Sequence, residues 1–149
     1  MTLDPKSAGW ALDPQLVRDT TTLGDLPLCR VLLMNDANYP WLLLVPRRQS
    51  IVEIVDLDTV AQAQLMDEIA EAARALKAVT GCDKINVAAL GNVVPQLHVH
   101  VIARSRNDAA WPQPVWGAAP ARVYREAALQ KLLARLRQRL MPTPLQTSC

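Results

Sequence analysis

Apolar positions in this 149-residue chain gather into four short runs and two helix-spaced stripes. Leu28 to Met34 and Trp41 to Val45 are strand-length apolar runs, and the polar segment Asn35-Asp36-Ala37-Asn38-Tyr39-Pro40 between them reads as a turn. Lys84 to Leu90 and Gln96 to Ala103 form a second pair, joined through Gly91-Asn92-Val93-Val94-Pro95. From about Thr59 to Thr80, Val60, Ala63, Leu65, Ile69, Ala72, Leu76 and Val79 approximate one face of a helix. Asp67, Glu68, Glu71, Arg74 and Lys77 mostly fall off that face, with Asp58 placed to cap its start and Gly81 its end. A shorter helix should open at Asp13-Pro14 and run to about Thr21, and an amphipathic helix should cover about Arg122 to Leu140. Between motif strand and last helix, a loop rich in Trp, Pro and Gly spans Asn107 to Pro120. Strand pairs separated by a long helix predict an α+β domain with a mainly antiparallel sheet.

Composition narrows this only modestly. Half of the residues are hydrophobic and a fifth are charged, as in ordinary globular proteins. A net charge of +2 is too small to argue for a nucleic-acid partner, and the basic residues of the last helix read most simply as a solvated face. Cys29, Cys82 and Cys149 show neither a disulfide framework nor zinc-ligand spacing, which favours a reducing compartment. The first ten residues lack a basic region followed by an apolar run, and no apolar run approaches the ~20 residues of a membrane span. A cytoplasmic protein of one domain, 1–149, is expected, with no membrane partner.

The chain has two histidines, both in Gln96-Leu97-His98-Val99-His100-Val101-Ile102. On a strand, successive side chains alternate faces, so Gln96, His98 and His100 should share one face while Leu97, Val99 and Val101 share the other. A structural role suits a lone strand histidine, and His-X-His can also begin a metal site, although no third histidine exists to complete it. Two histidines beside a glutamine, after a Gly-Asn turn, fit a third chemistry. A neutral imidazole attacks phosphorus when its other nitrogen is held by a hydrogen bond.

This segment resembles the histidine triad family, whose members carry His-φ-His-φ-His-φ-φ (φ apolar) on the last strand of a small α+β domain. The resemblance extends over about residues 28–117, through Val45-Pro46-Arg47-Arg48, the long helix, Ile85-Asn86 and Trp111-Pro112. It implies that His98 attacks the α-phosphate and becomes nucleotidylated, and that His100 contacts phosphate oxygens. It also implies phosphate contacts from Asn86 and Asn92. Asp36 best matches the acidic residue that binds the ribose hydroxyls, with Asn35 or Asn38 as alternatives. The implied partner is a purine nucleotide or nucleotide conjugate, and the implied assembly a homodimer. No metal or cofactor is required, although a divalent cation could arrive with a polyphosphate substrate.

Two departures stand out. Gln96 occupies the first histidine position, and Trp41 stands where some branches place another active-site histidine. Glutamine can orient its neighbours but cannot become cationic, so a slower enzyme or an altered leaving-group preference is expected. The expected reaction is cleavage at the α-phosphate of a nucleoside phosphoramidate or dinucleoside polyphosphate through a nucleotidyl-His98 intermediate. Its rival is a non-catalytic purine-nucleotide-binding regulatory module. Trp111 and Trp116 could lid the site, contact the leaving group, pack at a dimer interface or simply anchor the loop.

Overall fold

The computed structural model describes residues 5–142; Cys149 and most of the tail after Leu140 lie outside them. Asp13 starts α1 (Pro14–Asp19) by accepting the Gln15 N–H at 2.8 Å, with Pro14 in the first turn. The helix stops two residues earlier than the sequence pattern predicts. Thr20, Thr21 and Thr22 are β-branched, and they open a strand, β1 (Thr20–Asp25), that the pattern does not reveal. β1 lacks clean alternation because its register shifts between Thr22 and Gly24, and it lies at the sheet edge.

The expected hairpin is present as β2 (Cys29–Met34) and β3 (Trp41–Pro46). A short 3-10 turn, Ile54–Asp56, leads into α2 (Thr59–Thr80). Asp58 accepts the Ala61 N–H at 2.8 Å, and Gly81 ends the helix at φ 64°, a conformation that Gly adopts without a Cβ clash. β4 (Lys84–Ala88) and β5 (Val99–Arg104) follow, then α3 (Glu126–Leu140). Gln96, Leu97 and His98 therefore precede the strand expected to contain them, and residues 122–125 are not helical.

The five strands form one antiparallel sheet in the order β1-β2-β3-β5-β4, in keeping with the expected α+β class. Its two faces are both covered, which is why β3 and β5 are buried at every position. Val31, Leu33, Leu42, Leu44, Val99, Val101 and Ala103 pack under α2 and α3 with Leu65, Leu76 and Leu136. Each fully buried leucine there contributes about 1.5–3 kcal/mol. Leu32, Trp41, Leu43, Val45 and Ile102 point the other way, against Leu16 of α1, Tyr39, Val94, Ala110 and Val115.

The long helix differs from its sequence stripe at both ends of polarity. Val60 is 79% exposed, while Glu68, expected off the apolar face, is fully buried. The Glu68 carboxylate accepts the Leu28 and Cys29 N–H groups at 2.7 and 2.9 Å and the Gln64 amide at 3.0 Å. It anchors α2 to the start of β2 with bonds that offset its burial.

Candidate active site

Two backbone carbonyls set the histidines. His98 and His100 are both buried on the face opposite α2, their ring centroids 5.0 Å apart. His98 Nδ1 lies 2.7 Å from the Gln96 carbonyl oxygen. A carbonyl only accepts, so Nδ1 carries the proton and the neutral ring keeps its lone pair on Nε2. Gln96 thus orients its neighbour as expected, but through its backbone. Its side chain reaches elsewhere: Oε1 accepts the Asp13 N–H and Nε2 donates to the Ala11 carbonyl, both at 2.9 Å. The amide that replaces the first histidine fastens the segment before α1 and lines no wall of the histidine cavity.

His100 is held at both nitrogens. Nε2–H donates to the Leu90 carbonyl at 3.0 Å, and Nδ1 accepts the Trp41 indole N–H at 3.0 Å. Indole nitrogen only donates, so this pair of partners admits one neutral tautomer. Burial, partly offset by the Leu90 bond and reinforced by His98, brings the pKa of His100 down to about 4. A carbonyl and an indole N–H thus meet both nitrogens of His100, the residue for which a phosphate contact is expected. Trp116 closes the box edge-on, 5.1 Å from the His100 ring and 5.9 Å from that of Trp41.

Gly91 permits this approach of turn and strand. A Cβ there would come within 2.8 Å of the Val94 carbonyl and 3.3 Å of His98 Cε1. The two histidines line a cavity of about 440 Å³ together with Asn92, Leu90, Trp41, Leu43 and Leu16. A second hollow of about 400 Å³ continues from it, sharing Asp19, Met34, Trp41 and Trp116, and includes Asn35 and Asp36. The pair has the size and mixed apolar-polar lining of a small-molecule site. Asn92 faces this cavity and a small polar recess on which His98 also borders, with Glu53 at its edge.

Asp36 does stand at the site, but its Oδ1 accepts the Asn38 and Arg122 N–H groups at 3.0 and 3.1 Å, which caps the turn. Asn38 donates to the Pro120 carbonyl, and Asn35 accepts the Thr21 hydroxyl. Asn86 is drawn away from the histidines. Its Oδ1 accepts from Arg104 Nη1 at 2.7 Å, and it lines neither hollow.

Arg104 was not foreseen, although it shares strand parity with His98 and His100. Asp108 grips it at 2.7 and 3.0 Å, and the rings of Tyr39 and Trp111 lie 5.7 Å from its guanidinium carbon. Burial raises the Asp108 carboxyl, but the Arg104 bonds and the backbone N–H groups of Ser105, Ala110 and Trp111 outweigh it and hold the pKa at about 2. Trp111 therefore anchors the loop, while Trp116 walls the cavity. Asp19, at the rim of both hollows, was also missed, since the sequence gives no sign that the end of α1 meets the turn after β2. Among the described residues no three His, Cys, Asp or Glu side chains form a group that could hold a metal ion. Among them too, no helix is long and apolar enough to cross a membrane.

A five-stranded antiparallel sheet with two buried histidines at and just before β5 defines an α+β fold with one candidate site, and comparison makes the membership specific. The family model of the HIT domain matches residues 15–107, and the chain belongs to the histidine triad family. It is 57% identical to a histidine triad protein of Bradyrhizobium japonicum, with 88% of this chain and 98% of that one covered and a TM-score of 0.87. A histidine triad (HIT) protein of Sinorhizobium meliloti is 46% identical, covering 90% and 99%, with a TM-score of 0.87. One from Marinobacter aquaeolei is 45% identical, covering 88% and 96%, with a TM-score of 0.85. No curated protein matches the chain.

Proposed function

We propose that this protein is a nucleotide hydrolase or nucleotidyl transferase that cleaves at the α-phosphate of a phosphoanhydride or phosphoramidate through His98. The observation that carries the reading is the Nδ1–H bond from His98 to the Gln96 carbonyl, on a ring that lines the cavity. That bond fixes the tautomer with a lone pair on Nε2, the arrangement a neutral imidazole needs to act as a nucleophile. Attack forms the Nε2–P bond as the bond to the leaving group breaks. A water oxygen then forms a new P–O bond as the Nε2–P bond breaks, its O–H proton passes to solvent, and His98 regains its lone pair.

Asn92 and the backbone N–H groups of the Gly91 to Val94 turn would meet charge on the phosphoryl oxygens; loss of one such donor typically costs ~3 kcal/mol in the barrier. Asp36 and Asp19 are the acceptors available for ribose or base. A purine-nucleotide substrate, a homodimer, a cytoplasmic location and a divalent cation travelling with a polyphosphate belong to the same proposal. The commitment of Gln96 and His100 to internal bonds favours a second reading, a binding module that does not turn over.

Turnover of adenosine phosphoramidate and diadenosine tetraphosphate by wild type and His98→Ala, followed by chromatography, separates the two. Activity that disappears in His98→Ala supports the enzyme. AMP binding without turnover by wild type supports the module.

A further inference from the structure

His98 needs only a lone pair, but the group it displaces must depart with the bonding electrons. An amine leaving phosphorus requires a proton, whereas phosphate or carboxylate leaves as a stable anion. The groups that border the cavity decide which of these the site can serve. Its ionisable residues are His98, His100 and Asp19. His98 is the nucleophile, and Asp19, exposed at the rim, brings a negative charge. That leaves His100, whose Nε2–H is spent on the Leu90 carbonyl and whose Nδ1 is covered by the Trp41 indole N–H. The amides of Gln15 and Asn92 and the Trp116 indole also line the cavity, but amide and indole N–H groups are far too weakly acidic to give up a proton. Gln96 has turned both side-chain atoms to Ala11 and Asp13. No side chain among these holds a proton it can release to a departing atom.

We propose that Trp41 is a positioning residue that fixes His100 as a proton-inactive wall and thereby restricts the site to nucleotides with anionic leaving groups. Mixed anhydrides of the α-phosphate with phosphate or carboxylate are the substrate class, and phosphoramidates of alkyl amines are excluded. In the accepted reaction the P–O bond breaks, the electron pair leaves with the anhydride oxygen, and no proton is transferred in that step. With an alkyl phosphoramidate the same step would expel R–NH⁻, and nothing in the cavity prevents that by protonation. The inference rests on the His98 reading.

The test measures kcat/KM for a series of aryl esters of AMP with graded phenol acidity, together with an N-alkyl phosphoramidate of AMP. Wild type and the Trp41→Phe variant are compared, which removes the indole N–H and keeps an aromatic ring. Without a proton donor, kcat/KM should fall about a thousandfold from the 4-nitrophenyl to the phenyl ester, following the leaving-group acidity. In Trp41→Phe, the bared Nδ1 can take a proton, so the slope should flatten, and ¹⁵N NMR should show His100 titrating closer to pH 6.5 than in wild type. A uniform loss across all esters, with the slope unchanged, would mean a merely structural tryptophan and overturns the proposal. So does a shallow wild-type slope, or turnover of the N-alkyl phosphoramidate at a rate near that of the 4-nitrophenyl ester. Undiminished turnover of the 4-nitrophenyl ester by His98→Ala, or its absence in wild type, instead overturns the proposed function and takes the restriction with it.

Discussion

The two faces of β5 solve the same problem of burial in different ways. Toward α2, Val99, Val101 and Ala103 sit in a closed apolar layer that needs only shape. On the other face, His100 and Arg104, with His98 just before the strand, are buried too, and each requires named partners. At the Arg104 end every strong bond is returned by Asp108 or Asn86, whereas at the His98 end one nitrogen keeps its lone pair. One face thus carries a hydrogen-bonded guanidinium cluster at Arg104 and, three pleat repeats earlier at His98, a ring nitrogen whose lone pair is left for the cavity. The difference teaches that polar groups buried on one face can be spent on internal bonds, as at Arg104, or keep an atom for a cavity, as at His98.

The comparison breaks most readily at Arg104. Asp108→Ala leaves a guanidinium with 2% exposure facing only Asn86 and two rings, and should cost about 3–5 kcal/mol by urea denaturation. Leu76→Ala, on the apolar side, should fall in the overlapping range of about 2–5 kcal/mol. A loss below that of a surface substitution for Asp108→Ala would show that the Arg104 cluster is not what holds this end of the face.

The histidine end is sharpened by pH. Because the folded His100 pKa, about 4, lies below the ordinary 6.5, the unfolded chain binds this proton first as pH falls. The contribution is fully present above pH 6.5 and is lost progressively as pH drops toward 4. It is worth up to about 3 kcal/mol. In His100→Gln the part of the stability slope in that window should vanish, as read from denaturation at pH 4 to 7. The smallest effect belongs to Gln96. Gln96→Ala removes two partly exposed bonds to the segment before α1 and should cost about 1–2 kcal/mol, with faster amide exchange near Asp13.

How far the chain could be read in advance follows from the range of each interaction. α2 was legible because Asp58, the 3.6-residue stripe and Gly81 act within a few residues of one another. The apolar runs of β2 and β3 were equally plain, while β1 hid behind three threonines and a register shift at an exposed edge. His98 was legible from parity and its setting after a Gly-Asn turn. The bond from Trp41 to His100 spans 59 residues, and those from Gln96 span 83 and 85, so no local pattern encodes them. Glu68 looked like one more surface carboxylate because its partners lie 39 and 40 residues upstream. Parity did contain one unread signal: Arg104 falls on the histidine face by simple alternation.

The strand order also has a consequence for how the chain is made. β3 lies between β2 and β5, yet β5 is synthesised only after α2 and β4. Until residue 104 is available, the run Trp41-Leu42-Leu43-Leu44-Val45 presents an unpaired hydrogen-bonding edge with apolar side chains on both faces. Such an edge is a template for pairing with other chains. A nascent chain, or a fragment cut before Gln96, should therefore self-associate, and the histidine strand that completes the site is the same element that closes this liability.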